Sequence, residues 1–259
     1  SGDRIPPWTP HTPRAARFTA PPATNHSDPV VYFPSCATRS MGPARGDPIT
    51  DSVPTVTDRV LRRAGYAPIY PENMSGLCCG QPFESKGLLA TADEKSAELE
   101  AALRAASDGG RLPIVFDTSP CAYRMKRHVE GRLDVLDISE ALRKLVLPRL
   151  ALKPLDETVA VHPVCSVRKP GLEATLREVA AACAAHVVQP ERVGCCGWAG
   201  DKGWTFPELN AHALRDLHAS LPSGCATGYS SSRTCEIGLA QHSGITYRSI
   251  VHLVDAASR

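Results

Sequence analysis

The order of elements along this 259-residue chain runs twice, and that repetition constrains the fold more than any single motif does. Val30-Val31-Tyr32-Phe33 reads as a strand running into Cys36, and Val159-Ala160-Val161-His162 as a strand running into Cys165. A helix follows each. In the first half Pro54 suits a helix start, Val56, Val60 and Leu61 form an apolar stripe, and Gly65 suits the stop; in the second, Leu172, Leu176, Val179 and Cys183 keep helical spacing. Short strands near Pro68-Ile69-Tyr70 and His186-Val187-Val188 then lead to the same tripeptide, Cys78-Cys79-Gly80 and Cys195-Cys196-Gly197. The pattern predicts further helices over about 86–106 and 207–219, the second with capping-box spacing from Thr205 to Glu208. Strands at 112–116 and 225–229 run toward Cys121 and Cys235, with a helix beginning around each, and both halves close with a strand and helix near 135–147 and 247–257.

Strands alternating with helices imply parallel sheets covered on both faces. The expected architecture is therefore α/β: two lobes related by a pseudo-twofold axis, spanning 29–153 and 154–259, each a small sheet of about four parallel strands flanked by helices. Loops at the carboxyl ends of such strands form the ligand crevice, and Cys36, Cys78, Cys79 and Cys121 fall there in one lobe, Cys165, Cys195, Cys196 and Cys235 in the other. Residues 1–28, with Ile5-Pro6-Pro7-Trp8, Pro10, Pro13 and Pro21-Pro22, are too proline-broken for a helix or inner strand and read as a linker. Its first residues, Ser1-Gly2, resemble a protease-cleavage scar, so the chain is expected to continue a longer polypeptide.

Charge narrows the classes of function. Twenty-nine basic and 27 acidic residues, without long runs, leave a formal +2, which is no footprint for nucleic acid or anionic lipid. No stretch approaches the roughly 20 apolar residues of a membrane span, and no secretory signal opens the chain, so the expected location is the cytoplasm. Asn25-His26-Ser27 and Asn73-Met74-Ser75 match a glycosylation tripeptide only formally.

Ten cysteines in a chain of this size, with 42% hydrophobic residues for a core, point to metal binding in preference to disulfide stapling. Four thiolates are a full ligand set for one [4Fe–4S] cluster, so the repeated cysteines count out two clusters. Gly80 in one loop and Gly194, Gly197, Gly200 and Gly203 in the other would let backbone amides approach the sulfurs, with Gly80 and Gly197 as the cofactor-binding glycines. Cys121 and Cys235, near helix starts, would gain from the helix dipole.

Cys183 and Cys225 have no place in the repeat and read as small core residues. A four-thiolate zinc site is the main rival for the other eight, though the Cys-x-x-Cys knuckle common in zinc sites is missing; a vicinal disulfide switch is a third reading. His162 is a second-rank ligand candidate, and Arg168, Lys169 and Lys202 could offset an anionic cluster. No Ser-His-Asp set, phosphate loop or carboxylate pair stands out, so the chain is not expected to be catalytic alone.

The two Cys-Cys-Gly sequences, each between an upstream and a downstream cysteine over about residues 30–255, make the chain resemble the cysteine-rich CCG-domain family, which includes the cysteine-rich component of heterodisulfide reductase. The run from Cys195 to Gly203, Pro207-Glu208-Leu209-Asn210 and the run from Ser232 to Leu239 resemble the C-terminal region of bacterial FAD-linked D-lactate or 2-hydroxy acid dehydrogenases. That resemblance implies an iron–sulfur electron-transfer region, with FAD in an upstream domain, a ferredoxin-like segment between, and a quinone or cytochrome as acceptor. The different-class alternative is a zinc-stabilised module that docks a flavoprotein. Where heterodisulfide reductase has Cys-x-x-Cys this chain has Thr118 with Cys121 and Ser232 with Cys235, which leaves open an ordinary cubane, an altered cluster or an empty site in one lobe.

Overall fold

Apolar runs buried on both faces, at 30–33, 114–116 and 159–161, form the centres of two four-stranded parallel sheets. The computed structural model describes residues 12–16, 18–22 and 28–259. The first lobe comprises β1 (Asp28–Phe33), α1 (Cys36–Ser40), α2 (Val53–Arg63), β2 (Tyr66–Ile69), α3 (Gln81–Glu84), α4 (Leu89–Ala106), β3 (Ile114–Phe116), α5 (Ser119–Val129), β4 (Val135–Asp137) and α6 (Ile138–Ala141). The second repeats it with β5 (Leu155–Val161), α7 (Cys165–Arg168), α8 (Glu173–Ala181), β6 (Ala184–Val188), α9 (Lys202–Thr205), α10 (Pro207–Ala213), β7 (Thr227–Ser230), α11 (Arg233–Ser243), β8 (Thr246–Ser249) and α12 (Ile250–Ala257). Strand orders are β2-β1-β3-β4 and β6-β5-β7-β8, with all pairs parallel. The expected α/β architecture of two similar lobes is the one observed.

The lobes share a core. One apolar cluster joins Val56, Val60 and Leu61 of α2 to Leu176 and Val179 of α8 and to Val251 and Val254 of α12; a second, confined to the first lobe, holds Val31, Phe33, Leu99, Phe116 and Met125. Charged pairs seal the seam: Arg59 reaches Asp255 at 2.9 Å and Arg248 reaches Asp47 at 2.7 Å. The Ser119 amide donates to the Ser231 carbonyl at 2.9 Å, and Lys86 meets Asp201 at 2.8 Å across the loops that carry the two tripeptides. Among the described residues no helix is long and apolar enough to cross a membrane.

Several local expectations change. The helix expected from about 86 begins at Leu89, because α3 forms first and Gly87, at φ +79, separates the two. The helix expected over 207–219 ends at Ala213, with a 3₁₀ turn at His218–Ser220. Thr205 forms no capping box: its hydroxyl donates to the Lys202 carbonyl inside α9 and Phe206 takes the cap position. Cys183 lies just past α8, not within it, and is fully buried. In the proline-rich segment, Ala15 bridges Met41 and Phe18 lies 5.6 Å from the Tyr70 ring; Ser1-Gly2, the Ile5–Trp8 run, Pro10 and Asn25-His26-Ser27 fall outside the described residues.

Candidate metal centres

Each site forms where three loops leave the carboxyl ends of adjacent strands. In the first lobe β1 ends at Phe33 and Cys36 opens α1; β2 leads into Cys78 and Cys79; β3 leads into α5, whose third residue is Cys121. Cys165 at the start of α7, Cys195, Cys196 and Cys235 as third residue of α11 repeat the placement. The sulfurs touch in series. Cys36 is coupled electrostatically to Cys78 and Cys78 to Cys79, and Cys79 lies 3.1 Å from Cys121. In the second lobe Cys165 lies 3.7 Å from Cys195, Cys195 is coupled electrostatically to Cys196, and Cys196 lies 3.0 Å from Cys235. Both strings run from solvent to core: Cys36, Cys165 and Cys195 are exposed and Cys78 half-buried, whereas Cys79, Cys121, Cys196 and Cys235 are buried.

The glycine of each tripeptide has two jobs. Gly80 (φ +83) and Gly197 (φ +69) turn the chain into a left-handed conformation that points successive amides at the sulfurs. Gly80 N–H donates to Cys78 Sγ and Gly197 N–H to Cys195 Sγ, each at 3.4 Å, while the next amides, of Gln81 and Trp198, reach Cys79 and Cys196. A Cβ on Gly80 would stand 2.2 Å from the Ala92 carbonyl oxygen, and one on Gly197 2.5 Å from that of Leu209, so these glycines also let α4 and α10 close over the loops. The other glycines differ in their surroundings. Gly203 clears the Trp198 ring, and Gly194 and Gly200 face open space.

Electrostatics pick out the same position in both strings. Hydrogen bonds from Cys36 and Cys79, then from the Gly80 amide, hold the Cys78 thiol well below its ordinary pKa; Cys165, Cys196 and the Gly197 amide do the same for Cys195. The neighbours are pushed up, Cys36 and Cys165 first by bonding to Cys78 and Cys195, Cys79 first by Cys121, and Cys196 first by Cys195. The second cysteine of each string is thus the preferred thiolate.

Some supports had no sequence signal. Arg39 donates to the Pro34 and Leu77 carbonyls and Arg168 to those of Pro163 and Val193, bracing two cysteine loops in each lobe, so Arg168 ties loops together and is no free surface charge. Ser96 anchors the Cys79 carbonyl and Asn210 that of Cys196; unequal spacing from the tripeptide hides this equivalence in the sequence. Lys169 lies over the Tyr123 ring of the other lobe. Cys183 and Cys225 are buried apart from both strings, as expected.

Among the described residues no three Cys, His, Asp or Glu side chains are set as they stand to hold a metal ion. A tetrahedron of thiolates at about 2.3 Å from zinc has sulfurs about 3.8 Å apart, wider than the inner contacts at 3.0 and 3.1 Å, so loading requires the strings to spread. The donor chemistry fits an iron–sulfur cluster: four soft thiols per lobe, with amides already directed at two of them.

Fold and site define a two-lobed α/β protein with a cysteine-rich centre in each lobe. The cysteine-rich CCG domain model matches residues 30–126 and 159–237, and the chain belongs to that family, which is consistent with metal binding. No curated protein matches it. A solved structure of glutamate racemase from Aquifex pyrophilus aligns with 88% of this chain and 81% of its own at 12% identity, and its TM-score of 0.38 carries no argument.

Proposed function

We propose that the chain is the iron–sulfur electron-transfer region of an FAD-dependent D-lactate or related 2-hydroxy acid dehydrogenase, relaying electrons from flavin to a quinone or cytochrome. Cys36, Cys78, Cys79 and Cys121 hold one [4Fe–4S] cluster, and Cys165, Cys195, Cys196 and Cys235 hold the other. The observation that carries this reading is the duplicated string of four thiols, with the amide of the tripeptide glycine donating to a sulfur in each lobe. A cluster held there supplies one-electron chemistry. The chain's own contribution is to orient the ligands from three loops, to donate amide hydrogen bonds, and to bury the inner sulfurs away from water. Flavin, and with it hydride chemistry, belongs to an upstream domain joined through residues 1–28 and a ferredoxin-like segment. Ten free cysteines suit the reducing cytoplasm.

Anaerobic reconstitution with iron and sulfide tests the reading. The protein should take up both and show broad visible absorbance that dithionite bleaches, whereas stoichiometric zinc with no iron would support the zinc-stabilised docking module instead. The chain by itself should not reduce a dye with D-lactate, because none of its groups accepts a hydride.

A further inference from the structure

Beneath the cysteines the two lobes part company. Phe33 stands three residues before Cys36 and Phe116 five before Cys121; their rings pack 5.2 Å apart in the apolar cluster that also holds Cys79 and Cys121. At the matching places, three before Cys165 and five before Cys235, the second lobe has His162, the residue after β5, and Ser230, the last of β7, with the His162 amide donating to the Tyr229 carbonyl at 2.9 Å. Both side chains are buried, His162 1% and Ser230 0% exposed. Neither His162 Nε2 nor Ser230 Oγ has a hydrogen-bond partner among the described residues, and the same is true of Trp198 Nε1, two residues beyond Cys196. A buried polar atom without a partner is costly and needs an explanation. Strand alternation puts His162 on the face that Phe33 uses toward the inner cysteines, and burial keeps its ring neutral, with an N–H to donate.

We infer that His162 and Ser230 form a hydrogen-bonding floor for the sulfurs of the second site, and that this floor sets the reduction potential of the second site above that of the first. The inference rests on the iron–sulfur reading above. Hydrogen bonds to the sulfurs favour the reduced state, which carries the extra negative charge, and so raise the potential. Solvent acts in the same direction, since Cys165 and Cys195 are both exposed whereas Cys78 of the first lobe is half-buried. His162 and Ser230 are positioning residues, and the ordering they impose makes the second lobe the exit side toward the acceptor.

The test is a potentiometric titration of the full chain reconstituted with iron and sulfide, with each step assigned by silencing one lobe through Cys79→Ser or Cys196→Ser. Wild-type protein should titrate in two steps, the second lobe at the higher potential. His162→Phe copies the first lobe and should lower only the second-lobe step, by about 59 mV, a tenfold change in the one-electron equilibrium. His162→Gln retains an N–H donor and should recover most of that shift. Should His162→Phe fail to fold, Ser230→Ala removes only the hydroxyl and should shift the same step in the same direction by less. An unmoved second-lobe step, an equal fall in both steps, or a first-lobe step that lies higher would overturn the inference while leaving the cluster reading intact; failure of the wild-type chain to take up iron and sulfide would overturn both.

Discussion

The two lobes hold the same cysteine turn by opposite means. In the first, the turn before Cys36 is fastened to one fully buried carboxylate: Asp117 accepts from Tyr32 Oη at 2.9 Å, from the Ser35 amide at 3.0 Å, from Thr38 Oγ1 at 2.7 Å and from Thr118 Oγ1 at 3.1 Å. Burial pushes the Asp117 pKa up against the hydrogen bonds that hold it down. The residues at the positions of Tyr32, Ser35 and Thr38 in the second lobe are Val161, Val164 and Val167, all buried, and Asp117 is replaced by Ser231. A polar knot and an apolar plug thus produce one backbone course. The strand order and the cysteine spacing need only that those places be filled and buried, and the chemistry that fills them is free to differ.

The comparison breaks most sharply at the thiols. Cys79→Ser should remove about half of the reconstituted iron, all of it from the first lobe, and Cys196→Ser the other half, while Cys183→Ala should leave iron uptake unchanged; iron analysis with EPR distinguishes the two losses. If either serine variant lost all of the iron, the sites would not be independent.

Next comes stability. Asp117→Ala strips the knot of its shared acceptor and should cost about 2–4 kcal/mol in urea unfolding, whereas Ser231→Ala should cost about 1 kcal/mol or less. Equal costs would mean that the polar knot adds nothing over packing. The glycines rank below this. Gly80→Ala and Gly197→Ala combine a left-handed backbone with a clash against a carbonyl oxygen and should each lose about 2–3 kcal/mol, while Gly200→Ala, left-handed but in open space, should lose about 1 kcal/mol.

Acid gives the smallest effect. Burial alone would raise the Asp255 carboxyl, but hydrogen bonds from Arg59 and Arg259 outweigh it and hold the group at about 2. Its unfolded value is about 3.9, so the folded state binds fewer protons and the pair contributes stability above roughly pH 4, lost as the pH falls toward 2. Thermal unfolding between pH 5 and 2 should show a decline that Asp255→Asn makes shallower.

What the sequence could disclose follows from what repeats. The alternation of strands and helices and the cysteine loops were legible because the apolar runs Val30–Phe33 and Val159–Val161 and the tripeptide recur in the same sequence of elements, and the core role of Cys183 and Cys225 because they have no place in that repeat. The braces were not. Ser96 and Asn210 do the same job from helices that begin at different distances from the tripeptide, and the Asp117 knot joins residues about eighty positions apart. Thr205 misled because it is the last residue of the short helix α9, where its hydroxyl donates to the Lys202 carbonyl of its own turn.

The apolar cluster that runs through both lobes carries a last implication, about what this protein can be taken apart into. A duplicated gene often leaves halves that could still live separately. Here a cut between β4 and β5 would expose Val56, Val60 and Leu61 on one side and Val251 and Val254 on the other, and would leave Arg59 and Asp255 without each other. Each half has surrendered part of its interior to its twin. The smallest piece that can be inherited, transplanted or fused to a new neighbour is the pair, however complete each half looks when its motifs are read alone.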